Sequence, residues 1–196
     1  PSHPELLDWL AVSFMENGWS LKWLHRLILT SRAYQQSSRF DQKAFDIDAG
    51  NRLVWRMPLK RMDAETMRDS ILAATGNLDT RMGGPSFFLQ KKGPRGSYIY
   101  AAVANDGPEV WRRSVYRFVV RGGDRIMLDS FDCPDPSVAT PQRSISNAPV
   151  QALTLLNNPF VLRQAGLLAQ RLERESPDNR DEQIRRAYAL LYQRPP

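Results

Sequence analysis

The chain is poor in the residues that most often do chemistry alone. Its 196 residues include one cysteine, Cys133, and two histidines, His3 and His25. A single thiol forms no internal disulfide, and no Cys-x-x-Cys-His run is present, so covalent haem attachment within this sequence is excluded. Two histidines and one distant cysteine fall short of a zinc site. Long apolar runs are missing too. The longest stretch without a charge, residues 144–162, is interrupted by Pro149 and Pro159 and carries three asparagines and a glutamine. No membrane span is therefore expected. Lysine is scarce as well: 5 of the 27 basic residues are Lys and 22 are Arg. The skew favours rigid guanidinium forks, which match carboxylate, phosphate or sulfate, over solvated ammonium groups.

What is present fits an ordinary globular chain. The apolar fraction is 42% and the charged fraction 24%, which excludes a disordered, collagenous or disulfide-scaffold sequence. The net charge of +6 is unevenly placed. Residues 1–50 carry 5 basic and 6 acidic side chains, residues 51–125 carry 14 and 7, and residues 126–196 carry 8 and 8. The surplus therefore sits in the middle third, where it predicts a basic surface. The sequence opens on Pro1 and stops at Arg194-Pro195-Pro196. We read it as a fragment of a larger multidomain protein, so the missing targeting signals say nothing about location.

Local patterning predicts a mainly α chain, a single helical domain over 1–196 with an irregular or weakly β central segment. Ser2-His3-Pro4-Glu5 reads as a capping box opening a helix with a broad apolar face, ended by Asn17-Gly18. Ser20 caps a second helix bearing Leu21, Leu24, Leu27 and Ile28, and the two form a hairpin. Residues 35–50 read as a polar loop. A third helix is expected over 64–74, with Asp63 as N-cap and Gly76 as a left-handed stop. The segment at about 76–125 is basic and rich in Gly and Pro; residues 98–103 predict a short strand that could pair with a second at 115–120. Further helices are expected over 125–131, from Pro149 to Leu156, over 160–173, and from a cap at Asp181 with Ile184, Ala187, Tyr188 and Leu191 as its buried stripe.

Few residues form a chemical constellation. Asp46-Ile47-Asp48-Ala49-Gly50-Asn51 resembles the start of a calcium loop, but Met57 stands where the closing glutamate belongs. Gly83-Gly84-Pro85 and Gly122-Gly123 lack nucleotide-loop spacing and read as turns. Ser114, Ser130 and Ser144 have no nucleophile-elbow context, and His25 lies near a buried stripe, where a core histidine is the usual reading. Asp129, Asp132 and Asp135 fall within seven residues and are the candidate catalytic carboxylates, with Arg113 or Arg143 holding an anionic group. Their alternative role is to cap helix ends and pair with arginines. Arg112, Arg113, Arg117, Arg121 and Arg143 are the candidate anion- or partner-binding residues. On a strand over 115–120, positions 113, 117 and 121 would share one face, opposite Arg112. The competing reading is pairing with carboxylates from the helices.

Several stretches, taken in order, resemble one family. They are Pro4-Glu5-Leu6-Leu7-Asp8-Trp9-Leu10-Ala11, Gly18-Trp19-Ser20-Leu21-Lys22, His25-Arg26-Leu27-Ile28-Leu29-Thr30-Ser31 and Asn51-Arg52-Leu53-Val54-Trp55-Arg56-Met57. Arg61-Met62-Asp63-Ala64-Glu65-Thr66-Met67-Arg68-Asp69, Arg113-Ser114-Val115-Tyr116, Phe131-Asp132-Cys133-Pro134-Asp135-Pro136-Ser137 and Pro149-Val150-Gln151-Ala152-Leu153-Thr154-Leu155-Leu156-Asn157 follow. Together these resemble the domain of unknown function numbered 1553, abundant in planctomycete bacteria, over nearly the whole chain. The resemblance implies a C-terminal position in large exported proteins. It places a second uncharacterised domain and often a c-type cytochrome module upstream, so haem c belongs to those neighbours and no cofactor to this chain. It carries no established catalytic residues.

Three functions follow as expectations. The first is a non-catalytic interaction or structural domain of a periplasmic or cell-envelope protein, whose partners are the upstream domains of the same polypeptide or an acidic polysaccharide. The second is a polysaccharide-processing enzyme using the Asp and Arg residues above. The third is nucleic-acid binding, against which the exported setting argues.

Overall fold

The computed structural model describes residues 2–92, 100–102, 107–119 and 126–196. The chain is mainly α, with eight helices and one small sheet among the described residues. It divides into two compact units, 1–60 and 61–196.

In the first unit, α1 (Pro4–Glu16) and α2 (Leu21–Leu29) pack against each other as the expected hairpin. The start of α1 is one residue later than the capping-box reading: His3 is the N-cap, and the Ser2 hydroxyl lies 3.0 Å from His3 Nδ1 instead of the helix amides. Gly18 and Trp19 both adopt left-handed backbone at φ 67° and 58° and turn the chain. Trp19 N–H donates to the Phe14 carbonyl at 2.9 Å. The Ser20 hydroxyl accepts from Trp23 N–H at 3.3 Å and caps α2 as predicted. A third, six-residue helix, α3 (Gln42–Ile47), corrects the polar-loop reading of 35–50. Its signal is a lone cap: the Asp41 carboxylate accepts from Ala44 N–H at 3.1 Å. The segment from Asp48 to Arg56 is knotted by its own polar atoms. Asn51 exchanges two hydrogen bonds with the Arg56 backbone, and the Asp48 carbonyl accepts from the Trp55 indole. The Arg56 guanidinium stacks on Phe40 and Trp55.

The second unit is organised on α4 (Ala64–Thr75). Asp63 Oδ1 accepts from Thr66 N–H at 2.8 Å, and Gly76 closes the helix at φ 78°, both as read from the sequence. α5 (Ile126–Ser130), α6 (Pro149–Asn157), α7 (Pro159–Glu175) and α8 (Arg180–Tyr192) follow. α4 packs on α5, α7 and α8, while α6 packs on α5 and α7. Asn158 and Asn179 cap α7 and α8; the latter stands two residues before the expected Asp181. In α8 the predicted stripe is only half covered, with Ile184 and Leu191 exposed. A cluster of Ala64, Leu128 and Phe131, with Met67, Cys133 and Leu155 against it, forms one part of the core. Leu72, Ala74, Phe87, Val110 and Met127 are the other buried apolar residues among those described.

The central sheet corrects one expectation. β2 (Tyr100–Ala102) falls inside the predicted 98–103 strand, but its antiparallel partner is β1 (Gln90–Lys92), not 115–120. Ser114–Tyr116 instead forms a 3-10 turn. The cause is a long-range bond: the Asp69 carboxylate accepts from both Ser114 N–H and Ser114 Oγ–H and holds the chain in a turn at that point. The backbone pairing there is reduced to single bridges with the 79–87 segment, Asp79 to Arg112 and Phe87 to Arg117. The alternation that would have aligned Arg113 with Arg117 is thereby lost. Val120, Arg121 and Arg125 lie outside the described residues.

Candidate functional site

Helical spacing places Glu65, Arg68, Asp69 and Leu72 on one face of α4, at i, i+3, i+4 and i+7. Leu72 carries that face into the core, so three charged side chains are drawn inward with it. Arg68 is only 3% exposed. Its Nη2 donates to the Val110 carbonyl at 2.6 Å, and Nη1 donates to the Arg112 carbonyl at 2.9 Å and to Ser114 Oγ at 3.3 Å. The same guanidinium lies over the rings of Phe87 and Phe160, at 5.0 and 5.4 Å from their centroids. Asp69 stands 3.4 Å from Nη1 and supplies the opposite charge. Burial pushes Arg68 down to about 10, which still leaves it charged at neutral pH.

One turn earlier on α4, Glu65 receives both Arg143 nitrogens, at 2.7 and 3.0 Å. This fork-on-carboxylate geometry joins the loop after α5 to the helix. The Arg143 hydrogen bond is the largest influence on Glu65 and holds its carboxyl below the usual glutamate range against the opposing effect of burial. Cys133 Sγ lies 3.7 Å from Glu65 Oε1, and Asp63 is 3.8 Å from Arg143.

The Asp132 carboxylate, on a backbone at φ 59°, accepts from Ser146 N–H at 2.7 Å and from Ser146 Oγ–H. Those two donors depress its pKa. Arg61 reaches the same loop, donating to the Ser146 carbonyl at 2.6 Å and to Asn147 Oδ1 while its guanidinium lies over Phe131. Buried Gln151 completes the knot. Its Oε1 accepts from Ala148 N–H, and its Nε2 donates to Ser146 Oγ at 3.1 Å.

The remaining sequence-picked residues have definite places. Asp135 accepts from Ser137 N–H at 2.8 Å in its own turn, and Asp129 is exposed on α5. Arg112 donates to the carbonyls of Pro85, Gly83 and Arg81 and stacks on Tyr116 at 4.0 Å. Tyr116 Oη in turn accepts from Gly83 N–H at 2.6 Å. This clamp shapes one wall of a cavity of about 680 Å³, whose other walls include Met82, Phe88 and Glu109. Beside it Arg81 grips Asp79 and holds that carboxyl down at about 2. Arg113 is exposed, and Arg117 bridges to Phe87. The structure therefore brings Arg143 to Glu65 and Arg112 to a glycine loop, while Asp132 and Asp135 stay within their own loop segments.

Glu65, Arg68 and Asp69 were not singled out from the sequence, and Ser114 is weighed there only as a serine without a nucleophile-elbow context. The available signal was the placement of Glu65, Arg68 and Asp69 on the core-facing stripe of α4, where an unpaired charge is too costly to persist. Chemically, Glu65 is a poor base, because the Arg143 fork occupies its carboxylate and holds its pKa down. The arrangement joins distant chain segments: Glu65 to Arg143, Arg61 to Ser146, and Asp69 to Ser114.

Among the described residues no helix is long and apolar enough to cross a membrane, and no group of three or more metal-ligating side chains is gathered. No curated protein and no solved structure matches the chain. The family model described as a protein of unknown function, DUF1553 (PSD1), matches residues 1–196, and the chain belongs to that family.

Proposed function

We propose that the chain is a non-catalytic structural and interaction module of a larger periplasmic or cell-envelope protein, one whose other domains include c-type cytochrome modules. The single observation that carries the non-catalytic reading is the inward commitment of the polar residues. Arg68, Arg112 and Arg61 donate to backbone carbonyls, and Arg143 donates to the Glu65 carboxylate. Groups used this way fix loops on helices, which favours a structural role over a catalytic one. The envelope setting and the cytochrome neighbours come with the family resemblance, in which the haem motif belongs to upstream domains of the same polypeptide. Those upstream domains are the partners this reading assigns.

The test is the pair Asp132→Asn and Asp135→Asn, assayed on acidic and neutral polysaccharides alongside thermal melting. The expected result is no turnover by the original chain or either variant, with a lowered Tm for Asp132→Asn because its Ser146 bonds are weakened. Turnover that disappears in both variants while Tm stays unchanged would overturn the proposal in favour of an enzyme.

A further inference from the structure

The cavity of about 680 Å³ beside the glycine turn is lined by residues of one compact unit, 61–196. Its size falls within the range of small-molecule sites, about 300–1,000 Å³. Two of its lining residues are buried and fixed by bonds. Phe87 N–H donates to the Tyr116 carbonyl at 3.0 Å, and the Phe87 carbonyl accepts from Phe118 N–H at 2.9 Å. The Val110 carbonyl takes Arg68 Nη2. Met82 and Phe88 add apolar surface that the fold leaves largely uncovered, at 84% and 53% exposure. Phe88 is propped by Phe118, with ring centroids 4.6 Å apart. Apolar and aromatic walls with a few polar groups are the usual makeup of a ligand site.

Three charged side chains line the cavity: Arg81, Arg112 and Glu109. Both guanidiniums are already engaged. Arg81 closes on the Asp79 carboxylate through Nε and Nη2, at 3.0 and 2.7 Å, so those two charges offset each other. Arg112 gives both Nη groups to the carbonyls of Pro85, Gly83 and Arg81. Glu109 is different: among the described residues no donor or cation reaches its carboxylate. Its place is set by a glycine. A Cβ at Gly107 would stand 2.5 Å from Glu109 Oε2, so the carboxylate lies folded against residue 107 where only hydrogen fits. Val110 N–H donates to the Gly107 carbonyl at 3.1 Å and closes this short turn.

We propose that the cavity binds an organic cation, a protonated amine or guanidine on an aromatic or aliphatic body. The cation meets Glu109, and the body lies against Phe88 and Met82. A cation gains both the carboxylate and an aromatic face. An anion would meet the Glu109 charge and find the Arg81 and Arg112 forks occupied. The proposal adds a ligand to the module reading without resting on it.

The experiment titrates the whole chain with phenethylamine, phenethyl alcohol and hydrocinnamate, which share a ring and linker and differ in charge, following NMR chemical shifts. The amine is expected to bind about fivefold more tightly than the alcohol at low salt, and the carboxylate most weakly. High salt should narrow the difference. Glu109→Gln, at an exposed position, should melt with the original chain and reduce the amine to the affinity of the alcohol. Gly107→Ala keeps every charge, and its φ of −73° suits any residue, yet it displaces the carboxylate and should weaken the amine alone. Equal affinity of amine and alcohol, tighter binding of hydrocinnamate, binding of none, or an amine preference that survives Glu109→Gln would overturn the proposal. Acetyl-phenylalanyl-arginine amide carries the same two groups on a peptide and identifies the source. Binding tighter than that of the amine assigns a partner's side chain, weaker binding assigns a free small molecule, and either supports the site when Glu109→Gln removes it.

Discussion

Arg68 shows what single residues do in this chain. A guanidinium at 3% exposure carries a large desolvation cost, which is offset by three acceptors, two aromatic faces and the Asp69 charge. Glu65 behaves differently because it is only partly covered, and its pairing with Arg143 has a sign that pH can read. Its folded pKa lies below that of an ordinary glutamate, so the unfolded chain binds the proton more readily. The stability it contributes is therefore present above that value and is lost as pH falls through the depressed folded pKa. Urea midpoints measured from pH 6 down to about 3 should fall with acid. The Glu65→Gln variant should start lower and show a shallower fall. Identical pH profiles for the two proteins would remove Glu65 from this role. The sequence placed Arg143 among candidate anion binders without identifying its anion, because 78 positions separate it from Glu65 and no local spacing connects them.

At the scale of elements, what was legible followed from backbone chemistry within four or five residues. Ser20, Asp63 and Gly76 mark their helix ends because each closes a local hydrogen-bond or φ requirement. α3 escaped because six residues offer too little periodicity, leaving Asp41 as its main sign. The 115–120 strand failed for the opposite reason: its β-branched and aromatic composition was outweighed by Asp69, 45 residues away, holding Ser114 in a turn. Propensity in a half-buried segment yields readily to such a bond. Gly76 also offers a prediction for its element. A Cβ there would sit at left-handed φ and 3.3 Å from Arg171 Nη1, the nitrogen that donates to the Ala74 carbonyl. Gly76→Ala should cost about 1–2 kcal/mol, seen as a lower urea midpoint with unchanged helical circular dichroism. A variant as stable as the original would mean that the stop is not strained.

Taken whole, the chain puts its polar bonding and its apolar exposure in different places. Among the described residues, 61–196 contain all of the buried apolar side chains and the Arg68, Arg143 and Arg61 networks. In residues 2–60 only Ser13 is buried, and large apolar side chains such as Leu7, Trp19 and Leu53 face solvent. The charge asymmetry in the sequence had suggested a polyanion partner for the middle third. Three of its arginines, Arg61, Arg68 and Arg112, are bound to the chain's own carbonyls. In the structural role proposed above, these charged residues hold the fold together instead of waiting for a ligand. Residues kept for a ligand are often held at a cost to stability, and replacing them leaves a protein unharmed or improved. Structural ones behave the other way, and a buried charge pair broken from one side loses about 3–5 kcal/mol. Equilibrium urea unfolding of Arg68→Met in the whole chain separates the two. The account predicts a loss of about 3–5 kcal/mol, and stability equal to or above that of the original chain would contradict it.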